Sequence, residues 1–198
     1  VQQAIRDGAN VNAVRIDWTN GTCVDWTPLF DACENGNDQI IRILLDAGAD
    51  ARWRNRNGWS AILAACHSGH LSTVQLLINH DNGLLETVDD DGFTPLFRAI
   101  GNQNSDIVRF LLDSGADAHH ADRYGVTALM YACVRGILES VRLLMAAGVD
   151  VEARDEKQLT ALHYAALWRR IEVMLELILL YNANMLAVDN EGKTPFDL

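Results

Sequence analysis

Positive charge is scarce in this chain: 16 lysines and arginines stand against 27 aspartates and glutamates in 198 residues, a formal net charge of −11. Nonspecific binding to nucleic acid or to an anionic membrane surface needs concentrated cations, so neither is expected, and a basic or mixed-charge protein or peptide partner is the easier fit. Long apolar runs are missing too. No stretch approaches the roughly 20 residues that span a bilayer, and the first residues lack a basic flank followed by an apolar segment. A soluble, untargeted chain is expected. Also missing are a phosphate-binding glycine loop, an HExxH sequence, a zinc-type cysteine pair and a GxSxG elbow. Neither intrinsic catalysis nor a bound metal or other cofactor is expected.

What the chain does have is a repeated unit, best read in Asp91 to Asp117. Thr94 followed by Pro95 marks a helix start, with the threonine oxygen expected to accept an orphan backbone N–H and proline at the first helical position. Leu96, Ala99 and Ile100 follow at helical spacing, a polar break covers Gly101 to Ser105, and Ile107, Val108, Leu111 and Leu112 mark a second apolar stripe. Gly115 closes that second helix in the left-handed region, and a turn-rich connector follows. Thr27, Ser60, Thr94, Thr127, Thr160 and Thr194 fall in register at spacings of 33, 34, 33, 33 and 34 residues. The closing motif tracks them independently, as GAN at Gly8, GAD at Gly48 and Gly115, and GVD at Gly148. Helices this short are marginal alone in water, so each pair must bury its stripes against the next.

TPL at the start of one helix, GAD after the next and a period of 33 resemble the ankyrin repeat over essentially the whole chain. The resemblance implies an all-α repeat solenoid, a helix-turn-helix-hairpin stack whose hairpin fingers and first helices make a concave face. The expected organisation is a single domain, 1–198, with a partial repeat at 1–14, repeats at 22–54, 55–88, 89–121, 122–154 and 155–188, and a partial repeat at 189–198. Partial repeats at both ends make a longer parent an expectation.

Cysteine is sparse, and its placement matters more than its number. Cys33, Cys66 and Cys133 share one repeat position, where Ile100 and Ala166 stand in the other units. Equivalent positions in adjacent helices lie ~8–10 Å apart, beyond the ~7 Å limit for a disulfide. They read as reduced core residues, which suits the cytoplasm, with the nucleus also open.

The fingers carry the unusual residues. The first holds about seven extra residues, Arg15 to Gly21, including Trp18 and the turn signal Asn20-Gly21. Loop drift and a finger reaching over a ligand are both open readings. Asp25 sits where the family places its turn glycine. The second finger crowds Arg52, Trp53, Arg54, Arg56 and Trp59 into eight residues. The arginines suit either a clamp for carboxylates or phosphates, or ion pairs with Asp89, Asp90 and Asp91 of the next finger. A small bulge is expected where Asp81-Asn82-Gly83-Leu84 replaces the GAD turn. Gln103 and Arg169 stand in for the glycine between helices, and Gln158 for the finger-turn glycine. The very apolar helix Ile171 to Leu180 is expected to pack against the terminal repeat, with Asn182 as its left-handed cap.

Two histidine-bearing pairs invite chemistry. His119-His120 with Asp122 would suit a metal, but neighbours on an extended arm point opposite ways. Cys66-His67 would suit a nucleophile, but the cysteine belongs to the core and the histidine to the surface. His163 matches the family's structural first-helix histidine.

In the family, ligands are held by fingers and by exposed first-helix positions. Carried over, the expected partner-binding residues are Trp18, Trp26, Arg54, Arg56, Trp59, His67, Asp90, Asp91, Phe93, Asn102, Arg123, Tyr124, Arg135, Lys157 and Trp168. Trp26, Trp59 and Phe93 occupy one repeat position in consecutive units, and Glu34, His67, Asn102, Arg135 and Trp168 are read as the first-helix ends. The aromatic column is either an anchor for a partner or a set of wedges holding each finger to its helix. The function this implies is a monomeric protein-interaction scaffold. The alternative is a substrate-recruiting or regulatory domain of a larger enzyme or channel. The resemblance also implies that Asn12, in a GANVN-type turn, is a candidate for asparaginyl hydroxylation.

Overall fold

A computed structural model describes the backbone of residues 1–19 and 22–198, and the side chains of residues 1–16 and 25–198. It contains two compact units, Val1–Asp90 and Asp91–Leu198. In the first unit the order is α1 (Gln2–Arg6), β1 (Arg15–Thr19), β2 (Thr22–Trp26), α2 (Pro28–Glu34), α3 (Asp38–Asp46), α4 (Ala61–Ser68), α5 (Leu71–His80) and a 3-10 helix over Asn82–Glu86. The second holds α6 (Pro95–Gly101), α7 (Ser105–Asp113), α8 (Ala128–Arg135), α9 (Leu138–Ala146), α10 (Ala161–Leu167), α11 (Ile171–Tyr181) and a closing 3-10 turn, Pro195–Asp197.

Local chemistry sets each repeat. Every first helix follows a threonine or serine in extended backbone, and the side chain caps the helix at Thr27, which accepts from the Phe30 N–H at 3.2 Å, and at Thr127, which accepts from Met130 at 3.3 Å. The expected cap at Thr94 is not made. Its hydroxyl, like that of Ser60, is buried without a hydrogen-bond partner among the described residues, so the extended backbone and Pro95 set that helix start. In the fingers, Asn55, Asp122, Asp155 and Asp189 each accept the N–H groups two and four residues onward at 2.8–2.9 Å. That clamp folds the tight turn whose left-handed residue is Gly58, Gly125, Gln158 or Gly192.

Gln103 (φ 61°), Gln158 (φ 63°) and Arg169 (φ 53°) keep the left-handed backbone that glycine holds elsewhere, and Asn182 (φ 53°) caps α11 as expected. Two local expectations need correction. Asp25 does not form a left-handed turn: it lies in β2 opposite Ile16, because the longer first finger pairs as a regular antiparallel ladder from Arg15↔Trp26 to Thr19↔Thr22. The residues after α5 form no simple bulge; Asp81 accepts the Gly83 N–H and starts a 3-10 helix that buries Leu84 and Leu85.

Within the first unit α2 packs on α3 and α4, and α3 on α5; within the second α8 packs on α6, α9 and α10, and α11 on α9 and α10. First helices bury most of their residues, most fully in α4, where Ala61 through Cys66 are all buried. Second helices bury one stripe, such as Ile107, Val108 and Leu111 in α7. Each large aliphatic side chain so buried contributes about 1.5–3 kcal/mol.

The apolar excess of α11 is not core. Val173, Glu176 and Leu177 are buried, while Ile171 (60% exposed), Leu175 (52%) and Leu179 (71%) run at four-residue spacing along a separate outward stripe. Glu176 is held by both guanidinium nitrogens of Arg142 at 2.8 Å.

Candidate partner-binding surface

The Asn55 clamp that turns the second finger also places Trp59 at the head of α4, with its ring edge-on to His67 (centroids 5.3 Å apart, planes at 73°). His67 is exposed and Cys66 fully buried, so the two diverge. Trp26, at the end of β2, is half-buried and walls a cavity of about 370 Å³ with Val14, Arg15, Pro28 and Asp31. The three finger arginines are all engaged. Arg52 grips Asp81 through two nitrogens at 2.6 and 2.9 Å, Arg54 bonds the Gly58 carbonyl at 3.0 Å and Asp90 at 3.4 Å, and Arg56 lies 4.0 Å from Asp25. Of the pairs expected with the next finger, Arg54 makes one, with Asp90, whereas Arg52 pairs with Asp81 and Arg56 lies near Asp25. The Arg52 hydrogen bond, helped by the Gly83 N–H, holds the Asp81 carboxyl below its ordinary range. Trp53 packs edge-on against Phe30 and belongs to the fold. The side chain of Trp18 and the Asn20-Gly21 turn lie outside the described residues.

In the second unit Phe93 stacks on Phe97 (5.2 Å, 15°) and touches Tyr131, with the Arg98 guanidinium 5.0 Å above its ring. Phe93 therefore wedges finger to helix. Sequence reasoning missed Tyr131 and Arg98 here, although Phe93 and Phe97 at four-residue spacing signalled a stacked pair. Arg123 pairs with Asp91 and lies 5.0 Å over the Tyr124 ring, which stays exposed. Lys157 is exposed beside the Asp155 clamp, and Asn102 bonds the Arg98 carbonyl at 3.4 Å. Arg135 and Trp168 are exposed at the ends of α8 and α10.

The first-helix ends mix two positions. Asn102, Arg135 and Trp168 immediately precede the left-handed residues Gln103, Gly136 and Arg169, whereas Glu34 and His67 stand two residues before Gly36 and Gly69.

His120 bonds the Gly92 carbonyl at 2.9 Å while His119 is exposed, so they do not converge. Among the described residues no three His, Cys, Asp or Glu side chains gather as metal ligands. His163 is fully buried: its Nδ1 accepts from the Thr160 N–H at 3.1 Å and its Nε2 donates to the Lys193 carbonyl at 3.2 Å. Burial pushes the Cys33 thiol up to about 12 and raises Cys66 and Cys133 further, which disfavours the reactive thiolate at neutral pH. None of the three thiols is in a disulfide, and all are buried.

No helix of the described residues is long and apolar enough to cross a membrane. The chain is 36% identical over 144 residues to ankyrin repeat protein YahD of Escherichia coli (strain K12), covering 70% of this chain and 68% of that protein. It is 34% identical over 102 residues to human ankyrin repeat domain-containing protein 63 (50% of this chain, 27% of that one), and 33% identical over 94 residues to tyrosine-protein kinase HTK16 of Hydra vulgaris (47% and 12%). The family model for ankyrin repeats (3 copies) matches residues 29–122 and 114–189. With helix pairs, fingers and left-handed turns recurring in the same register, the chain belongs to the ankyrin repeat family.

Proposed function

We propose that this chain is a protein-interaction scaffold that grips a peptide or protein partner through its fingers and first-helix ends. Ankyrin repeats are generally protein-interaction modules, and these positions carry exposed aromatic rings, Tyr124 and Trp168. The observation that supports the reading best is Trp168, an indole left 52% exposed at the end of α10, with Arg135 exposed at the matching position of α8. Tryptophan and arginine are the residue types that most often carry binding energy at interfaces. Trp59 beside His67, and Trp26 over its cavity, offer similar anchors in the first unit. Replacing Trp59 and Trp168 singly with alanine, then measuring capture of an affinity-purified partner alongside melting temperature, tests this. Weakened capture by a folded variant is expected; unchanged capture by both rejects the surface.

A second reading is that the array recruits substrate for, or regulates, an enzyme or channel domain of the same polypeptide. The match to a segment of a tyrosine-protein kinase favours it. Sequencing the complete coding region decides it, since a parent made only of repeats removes the idea.

A further inference from the structure

Several arginines in this acidic chain are paired with a carboxylate. In the second unit Arg109 pairs with Glu139, Arg123 with Asp91 and Arg142 with Glu176. The helix-to-helix turns after α8 and α10 break that pattern. Arg135, Arg169 and Arg170 have no carboxylate within ion-pairing distance among the described residues. The two turns lie against each other: Arg170 donates through Nε to the Val134 carbonyl at 2.9 Å, and its stem covers Gly136 so closely that a Cβ there would meet the Arg170 Cδ at 2.8 Å. Since α8 packs on α10, Arg135 and Trp168, which hold the same repeat position, are neighbours about one helix spacing apart. A cleft of about 310 Å³ opens beside them, lined by Gly136, Arg169, Arg170, Ile171, Glu172 and Val173. Its wall continues into the exposed Ile171 and Leu175 stripe of α11.

We infer that this turn surface binds an acidic segment of the partner, with carboxylates on Arg135 and Arg169 and apolar side chains beside Trp168 and Ile171. The inference rests on the interaction reading above and gives it a partner chemistry. The argument is charge complementarity. Guanidinium groups present a planar fork that matches a carboxylate, and unpaired ones in a strongly acidic protein are sites where a foreign carboxylate gains without displacing a resident one. Glu172 lines the cleft in the first turn of α11, which directs incoming acid groups toward the Arg135 and Arg169 side. Net charge alone favours a basic partner; here the local arrangement reverses that preference.

The test uses the full chain and a short fluorescein-labelled peptide of glutamates interrupted by leucine, with its lysine-for-glutamate counterpart as control. Fluorescence polarisation should show binding of the glutamate peptide, weakening as salt is raised, and a change in Trp168 emission. The double variant Arg135→Gln/Arg169→Gly removes both charges while leaving glycine in the left-handed position, so its fold is retained. It should bind at least about tenfold more weakly, the loss expected of a hot-spot contact, with no fall in melting temperature. Trp168→Ala should lose binding in the same way. A wild-type chain that ignores the glutamate peptide, equal binding of the lysine peptide, or a double variant that binds like wild type each overturns the acidic-partner assignment. The alanine test of Trp59 on a captured partner, in the other unit, still decides the broader reading separately.

Discussion

At Gln103, Gln158 and Arg169 the backbone occupies a region that costs an ordinary residue roughly 1–2 kcal/mol, because its Cβ crowds the following carbonyl. These positions were legible as register points because the neighbouring repeats carry glycine there, even though no glycine is present. Gln158→Gly should therefore stabilise the chain by about 1 kcal/mol in urea denaturation, and a loss of stability would contradict the left-handed assignment. The buried thiols give a second residue-scale test. Cys33, Cys66 and Cys133 should resist alkylation in the folded protein at pH 8 and react after denaturation, as mass mapping of the modified peptides will show. The Arg52–Asp81 pair gives a third. Asp81 is held below its ordinary value of 3.8, so its folded form binds its proton less readily than the unfolded form. The stability it contributes is present above that ordinary value and disappears as pH falls through the lowered one. Arg52→Gln should accordingly lower the melting temperature at pH 7 and make little difference in strong acid. An equal deficit at both pH values would show that packing of the side chain, not the charge pair, is what matters.

Elements obey the repeat grammar wherever a neighbour covers them. The apolar stripe of α7 predicted its buried face, Ile107, Val108 and Leu111, but the same reasoning placed the apolar excess of α11 in a core, whereas its outward stripe is exposed. Spacing alone identifies which residues share a face; it cannot say whether another helix lies over that face. The two faces of α11 separate cleanly by mutation. Leu177→Ala should cost about 2–5 kcal/mol, because the side chain is fully buried, whereas Leu179→Ala, at an exposed position, should stay within about 0.5 kcal/mol of wild type in urea denaturation. Equal costs would mean that the outward stripe is covered in solution. The first finger makes the same point at the level of strands. Its extra length was visible in the sequence, but only its backbone pairing, with Asp25 opposite Ile16, shows that the insertion continues a ladder and removes the left-handed turn.

For the molecule as a whole, period and spacing determined the repeat register, the placement of helices and the buried cysteine column. These follow from the chain alone because each repeat solves one local problem, to start a helix, turn, close a second helix and turn again, and each solution uses residue types that leave a mark at a set interval. Side-chain partnership was decided by tertiary structure. Arg52 meets Asp81, not the next finger's aspartates; Phe93 stacks into a cluster with Phe97 and Tyr131; among the described residues no carboxylate lies within ion-pairing distance of Arg135 or Arg169. Several acceptors lie within reach of any long side chain, and the choice depends on distances of a few ångströms set by how helices and fingers pack, which repeat spacing does not encode.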